Sequence, residues 1–392
     1  MESDNNVASW QGMKCNSEHS LLGSNNTKAL FALVKAGLWE KEARLLPFGE
    51  VDYSEVYRLA EEQSVLGFVT AGLEHVTDTQ VPKGELLQFI GQSLQIEQQN
   101  KELNNFIGVL IEKMRDADIY TLMVKGQGIA QCYEKPLWRS CGDVDLFLSD
   151  VNYEKAKKFL TPLAVSMEKE YAREKHFGMT IDSWVVELHG RLYCGLSSRI
   201  EKELDRVYQD TFYGGSVRSW DNNHIQVFLL SPENDAFYVF THILQHFYKG
   251  GIGLRQICDW CRLLWTYRNT IDVKLLESRI RRAGLMSEWK AFAAYAVHYL
   301  DMPSEAMPFY DDLDKWQKKA IRIGAFILEV GNFGQNRNQS YYSNYPYVVR
   351  KVFSFSRRMF DMTRHTIIFP LDSIRFFIGT TINGLKSIAH GE

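Results

Sequence analysis

Val124-Lys125-Gly126-Gln127-Gly128 and, from residue 139, Arg139-Ser140-Cys141-Gly142-Asp143-Val144-Asp145-Leu146-Phe147-Leu148 are the stretches from which the rest of the chain can be parsed. Ile119 to Val124 is apolar and β-rich, which suits a buried strand. The glycines end that strand, and a helix is expected to start at Gly128 and run to Tyr133. Arg139 to Gly142 reads as a polar loop, and Asp143 to Leu148 as a second strand. On a strand, residues two apart share a face, so Asp143 and Asp145 present their carboxylates the same way.

Two carboxylates that close repel each other, and burying either one unpaired is costly. They need solvent, a proton or a bridging cation. Hard oxygen donors suit Mg²⁺, which takes one or two protein carboxylates and completes its shell with phosphate oxygens and water. A solvated Asp-x-Asp capping a turn is the ordinary account of such a pair. The adjoining Lys-Gly turn, Arg139 and a third acid shift the balance towards a site. That acid is Glu187, in Ser183-Trp184-Val185-Val186-Glu187-Leu188-His189-Gly190, a β-rich run on which Glu187 and His189 share a face. Paired beside the Asp143 strand, Glu187 would complete a three-carboxylate cluster able to hold two metal ions for in-line phosphoryl or nucleotidyl displacement. His189 is expected to be a hydrogen-bonded structural histidine, and Lys175-His176, which could line the site, is read in preference as a solvated turn.

Lys125-Gly126 with Tyr133, Pro136, Arg139, Gly142-Asp143-Val144-Asp145-Leu146 and Glu187-Leu188-His189 resembles the bacterial uncharacterised nucleotidyltransferase family. That family is a branch of the polymerase-beta-like nucleotidyltransferase superfamily. The likeness is specific over Ile119 to Gly190 and looser in the flanks. It implies an α/β (α+β) fold, a small mixed-sheet nucleotidyltransferase core flanked by N-terminal and C-terminal helical domains. It also implies a divalent metal, Mg²⁺ or Mn²⁺, at Asp143, Asp145 and Glu187, and nucleotide transfer from an NTP such as ATP. Lys125, Gly126, Arg139 and Gly142 are then the nucleotide-binding positions, and Glu187 could also accept the acceptor's proton. One departure is that the superfamily's Gly-Ser pair is replaced by Lys125-Gly126, although Lys-Gly-Gly turns occur in abortive-infection toxin nucleotidyltransferases. A lysine meets phosphate as a point charge, assisted by backbone N–H groups at the helix start. Family members also carry a histidine-bearing helix and then an Arg-rich segment ending in Asp. Arg255-Gln256-Ile257-Cys258-Asp259-Trp260 matches it and reads as a lid or acceptor-side wall. Arg255 is either a phosphate contact or the i,i+4 partner of Asp259.

The 392 residues are 45% hydrophobic and 24% charged, with a formal net charge of -3, and the pI is about 6.4. This length suggests two or three domains. The acidic balance argues against a generally basic nucleic-acid binder, so a small molecule, sugar or protein acceptor is favoured over RNA. Cys15, Cys132, Cys141, Cys194, Cys258 and Cys261 show no disulfide-scaffold spacing, and no signal-peptide pattern precedes them. A reduced, cytoplasmic setting is the expectation.

Residues 1–27 read as a flexible N-terminus, 28–117 as a helical domain, 118–215 as the catalytic core and 216–392 as a C-terminal helical domain. Leu86 to Met114 is expected to be one helix burying Leu87, Ile90, Leu94, Ile107, Leu110 and Ile111, with Gln95 to Asn105 on a solvated face. Tyr153 to Leu160 reads as a helix; Ala164 to Tyr171, Phe177 to Ile181 and Trp184 to His189 read as strands. Ser231-Pro232-Glu233 opens a helix carrying His242 and His246. That pair, and Cys258 with Cys261, have metal-ligand spacing but no further ligands at a diagnostic distance, so packing is expected. Asn332 to Gln339 is a polar loop. From Arg350 to Glu392 seven basic residues face three acidic ones, interleaved with Phe353, Phe355, Met359, Phe360, Phe376 and Phe377. Final helices with basic outer faces are favoured there over a peripheral membrane contact. No apolar run reaches transmembrane length. Three rival functions remain: a toxin-like tRNA nucleotidyltransferase, a non-catalytic nucleotide-binding protein, and a membrane-surface scaffold.

Overall fold

A computed structural model describes residues 23–171, 174–334 and 347–378. Most of the expected flexible N-terminus, most of the Asn332 to Gln339 loop, Tyr341, Tyr342 and Tyr345, and the basic tail beyond residue 378 lie outside the described residues. In chain order the elements begin with α1 (Asn25–Trp39), α2 (Tyr53–Glu62), α3 (Leu66–Leu73), α4 (Lys83–Asp116), β1 (Thr121–Val124), α5 (Gly126–Ala130), β2 (Asp143–Leu148) and α6 (Asp150–Leu160). There follow β3 (Ala164–Met167), β4 (His176–Ile181), β5 (Trp184–His189), α7 (Ser198–Phe212), β6 (Val217–Asn222), β7 (Ile225–Leu230) and α8 (Pro232–Lys249). The helices α9 (Leu254–Thr266), α10 (Val273–Ala283), α11 (Met286–Leu300), α12 (Asp314–Val330) and α13 (Tyr347–Ile368) follow, and residues 370–378 are helical as well.

The chain divides into two compact units, each gathered from three segments. The first comprises Met1–Ser93, His246–Cys258 and Ser287–Pro370. Its helices pack closely where small residues meet. A Cβ on Gly37 would fall 2.0 Å from the Phe68 carbonyl oxygen, and one on Gly72 2.0 Å from that of Leu33, so α1 and α3 cross backbone to backbone. Phe247 centres an aromatic group with Phe292, Phe326 and His365, its ring 4.7 Å from the His365 ring.

The second unit comprises Leu94–Gln245, Asp259–Met286 and Leu371–Glu392, and it holds the whole sheet. Among the described residues, seven strands run in the order β3-β4-β5-β2-β1-β7-β6. β2 pairs antiparallel with β1 and parallel with β5, and β1 pairs parallel with β7. Val144, Leu146 and Leu148 on β2 and Val186 and Leu188 on β5 are fully buried in one core with Leu103, Ile107, Leu110, Ile111 and Met114 of α4. With side chains alternating along a strand, Asp143, Asp145, Glu187 and His189 are left on the opposite face. The α/β architecture with helical flanks is thus the one expected.

Several local expectations need correction. The helix after β1 starts at Gly126 rather than Gly128, and β3 stops at Met167 rather than Tyr171. Tyr171 instead makes an isolated bridge to His176. On α4, Ile107, Leu110 and Ile111 are buried, but Leu87 and Leu94 are more than half exposed and Ile90 is exposed as well. The inner stripe there runs through Phe89, Ser93, Asn100 and Leu103, with polar members that find partners inside. Ser93 donates to Thr70 Oγ1 at 2.7 Å, and the Asn100 amide donates to the Leu137 and Arg139 carbonyls. Hydropathy periodicity misses a stripe whose buried positions are hydrogen-bonded amides and hydroxyls. Among the described residues, no helix is long and apolar enough to cross a membrane.

Candidate active site

The site begins where β1 turns into α5. Lys125 has φ 57° and ψ -146°, a backbone region that side-chain-bearing residues rarely occupy. Gly126 follows at φ 44°, and a Cβ there would sit 3.3 Å from Cys141 Sγ. The turn therefore needs glycine at 126 and tolerates strain at 125. The strain places the Lys125 ammonium 2.8 Å from Asp145 Oδ1, with the lysine side chain only 16% exposed and Asp145 2%. Since α5 has only five residues, the concentrated positive charge at this turn is the lysine, not a helix end.

Register supplies the rest. Asp145 is the partner of Val124 on one side and of Glu187 on the other. Gly178 of β4 lies opposite Glu187, and His176 opposite His189. Directly opposed residues share a face, so Asp145, Glu187, His189 and His176 form one patch. His189 Nε2 lies 2.8 Å from Asp145 Oδ1 and 3.5 Å from Glu187 Oε2. His176 Nε2 lies 3.2 Å from the same Glu187 oxygen. An ionised carboxylate can only accept, so both imidazoles donate here. Asp143 sits half-buried at the start of β2, near enough for its charge to act on Lys125.

The electrostatics follow from this packing. Hydrogen bonds from His176 and then His189 hold the Glu187 carboxyl far below the usual carboxylate range, overcoming its burial. Burial works against a charge on Lys125, but Asp145, Tyr238 and Asp143 more than offset it and hold the ammonium above its ordinary value. His189 behaves alike: burial disfavours the imidazolium, and the Asp145 and Glu187 hydrogen bonds raise its pKa nonetheless. Tyr238 on α8 is pushed up by burial, with Lys125 opposing and Asp145 and Glu187 adding to the rise. Its phenol belongs to the same field.

Arg139 and Gly142 stand apart from this patch. The Arg139 guanidinium is buried and grips Asp259 with two prongs, Nε to Oδ1 at 3.1 Å and Nη2 to Oδ2 at 2.7 Å. Tyr133 donates its hydroxyl to Asp259 Oδ1 at 2.8 Å. The Gln127 side-chain amide donates to Asn100 Oδ1 at 2.6 Å. Asn100 thereby ties the Lys-Gly turn to the loop leading into β2. Arg139 Nη1 donates to the Ser140 carbonyl at 3.2 Å, so the guanidinium ties Asp259 to the loop leading into β2. Gly142 is exposed, with nothing within 4 Å of a Cβ placed on it.

Sequence reasoning missed Asn100 and Glu168 and favoured a solvated turn for His176, while for His189 it expected a hydrogen-bonded histidine on the face of Glu187. His176 opens β4 instead of lying on a solvated turn, and His189 contacts two carboxylates. Asn100 lies in a stretch read as a solvated face. Glu168 places a carboxylate oxygen 2.8 Å from where a Gly178 Cβ would be, so a further acid overhangs the position beside Glu187. Alternation alone puts His189 with Glu187; for His176 and Glu168 the needed signal is cross-strand register. Among the described residues, the group of three metal-capable side chains that comes together is His176, Glu187 and His189. Cys258 and Cys261 are fully buried in the first turns of α9, as packing residues would be.

Among solved structures, an antigenic nucleotidyltransferase-like protein from Paracoccidioides brasiliensis is similar at 15% identity, covering 54% of this chain and 94% of that one, with a TM-score of 0.32. No curated protein matches the chain by sequence. Residues 49–301 match the uncharacterised nucleotidyltransferase family, a span that includes the Lys-Gly turn, both aspartates of β2, Glu187 and both histidines. With well over half of its length in that match, the chain belongs to the uncharacterised nucleotidyltransferase family.

Proposed function

We propose that the chain transfers a nucleoside monophosphate from an NTP to an acceptor hydroxyl, releasing pyrophosphate. The observation that carries this reading is a strained lysine held against Asp145, which is itself in register with Glu187. Asp143, Asp145 and Glu187 would hold a divalent cation, Mg²⁺ or Mn²⁺. The donor set fits one: two carboxylates converge on the proton of a single imidazole nitrogen, the place of a shared positive charge. Such a cation supplies charge neutralisation at the phosphates and acidifies the attacking hydroxyl.

The chain's own groups do the positioning. Lys125, released from Asp145 when the nucleotide enters, meets the phosphates as a compact charge. Gly126 makes the turn that aims it, and Arg139 with Asp259 and Asn100 fixes the loop from which Asp143 projects. The acceptor hydroxyl gives its proton to solvent as its oxygen forms a bond to the α-phosphorus, the bond to the bridging oxygen breaks, and pyrophosphate leaves with that electron pair. Glu187 is a poor recipient for the acceptor's proton, because two imidazole donors hold it far below the usual carboxylate range. Its role in this reading is to hold the cation. Catalysis then rests on orientation and charge stabilisation. The net charge of -3 favours a small-molecule, sugar or protein acceptor over nucleic acid.

The test follows α-labelled NTP and pyrophosphate release with Mg²⁺ or Mn²⁺, using fractions of small molecules, protein and RNA as acceptors. Asp143→Asn and Asp145→Asn are each expected to lower transfer by about 100-fold or more. Undiminished turnover in both variants would end the proposal.

A further inference from the structure

We propose that His176, Glu187 and His189 form a nitrogen-bearing cation site that takes Zn²⁺ in preference to Mg²⁺. This goes beyond the transferase reading and does not depend on it; the two share Glu187 and differ in every other ligand.

The argument starts from distances. The two Nε2 atoms lie 3.2 and 3.5 Å from Glu187 Oε2, and all three ligand atoms fall within 4.8 Å of one another. Zinc bonds of about 2.0–2.2 Å in a tetrahedron place ligand atoms about 3.3–3.6 Å apart. An octahedral Mg²⁺ shell, with bonds of about 2.0–2.1 Å, would need neighbouring ligands about 2.9 Å apart. The two edges that meet at Glu187 are closer to the tetrahedral spacing than to the octahedral one. Donor type points the same way, since imidazole nitrogen favours zinc and its neighbours in the first transition row while Mg²⁺ prefers oxygen alone.

The strand framework makes this arrangement rigid. His176 and His189 are direct partners across β4 and β5, with rings 4.9 Å apart, and Glu187 stands two residues from His189 on the same face. Gly178, opposite Glu187, contributes no side chain to that face. The ligands are also accessible: the His176 and Glu187 side chains are 23% and 28% exposed. Without metal, His189 gives its Nε2 proton to Asp145. Zinc would use the lone pairs of both Nε2 atoms, each displaced Nε2 proton would pass to solvent or to Nδ1 of its own ring, and Asp145 would retain Lys125 as its cation.

The test uses the full chain stripped of metal by a chelator and titrated with Co²⁺, a spectroscopic stand-in for Zn²⁺. One equivalent should give tetrahedral visible bands without the near-ultraviolet band of a cobalt–thiolate bond. Zn²⁺ should displace the cobalt, and a large excess of Mg²⁺ should not. His176→Ala and His189→Ala should each weaken binding beyond the roughly 10- to 100-fold loss typical of changes behind the ligand shell. Asp143→Asn should leave binding intact. Because His189→Ala also strips Asp145 of a partner, the partly exposed His176 is the decisive position, with circular dichroism checking its fold. A thiolate band, displacement by Mg²⁺, or unchanged affinity in His176→Ala would overturn the site. Transfer without cobalt binding counts against this site alone, and cobalt binding without transfer counts against the transferase reading alone.

Discussion

Lys125 occupies a backbone region, φ 57° with ψ -146°, that glycine would fill without cost. Strain of this kind costs about 1–3 kcal/mol and persists where the surroundings over-determine it. Here the surroundings are the Gly126 turn, the hydrogen-bonded Gln127–Asn100 pair and the Asp145 carboxylate. Replacing Lys125 by Ala or by Gly removes the same ammonium, but only glycine also relaxes the backbone. We expect Lys125→Gly to be more stable than Lys125→Ala by about 1–2 kcal/mol in urea unfolding, the reverse of the order in a helix interior. Both should lose nucleotide transfer. Equal stability, or a more stable alanine variant, would show that the turn is unstrained. At this scale the strand alternation in Asp143-Val144-Asp145 and Glu187-Leu188-His189 suffices to sort acids from core. It does not show that His176 faces His189, since that depends on how two strands align.

Between residue and molecule, the helix α7 shows how a terminus can carry a charge into the interior. Ser197 caps it by accepting from the Ile200 N–H at 3.4 Å. Glu201, in its first turn, reaches back to the N–H groups of Cys194 and Gly195 at 3.2 and 2.8 Å. Burial outweighs those two hydrogen bonds and raises the Glu201 pKa. A raised carboxyl contributes stability below its unfolded value, and that contribution is lost as pH rises through the folded value. Glu201→Gln keeps an oxygen for both N–H groups and never ionises. Its melting temperature relative to the parent chain should therefore climb from acid towards neutral pH; a difference independent of pH would refute the raised pKa. Elements were also where hydropathy reading was partial. The lower half of α4 was legible from Ile107, Leu110 and Ile111, whereas the upper half was not, because Ser93 and Asn100 lie inside and Leu87 and Leu94 outside.

On the scale of the molecule, the order β3-β4-β5-β2-β1-β7-β6 brings together strands distant in the chain. Leu122 pairs with Phe228 and Asp145 with Glu187, in parallel. Apolar runs announce that such strands exist, and a family resemblance announces a mixed sheet. No local pattern says which strand lies beside which, because parallel pairing is closed by long connections rather than by turns. The order has a measurable consequence within the second unit. β2 has a neighbour on either side, and Val144, Leu146 and Leu148 are fully buried under α4. β3 is an edge with one partner, and its Val165 and Met167 are 76% and 53% exposed. Amide exchange should be slowest in β2 and its neighbour β1, opening only when the whole unit unfolds, and much faster in β3, which can fray alone. Since β3 pairs, among the described residues, with β4 alone, its fraying leaves the Asp145–Glu187 register intact, so added Zn²⁺ should slow exchange at β4 and β5 more than at β3. Protection of β3 equal to that of β2 would contradict the edge position of β3 in this strand order.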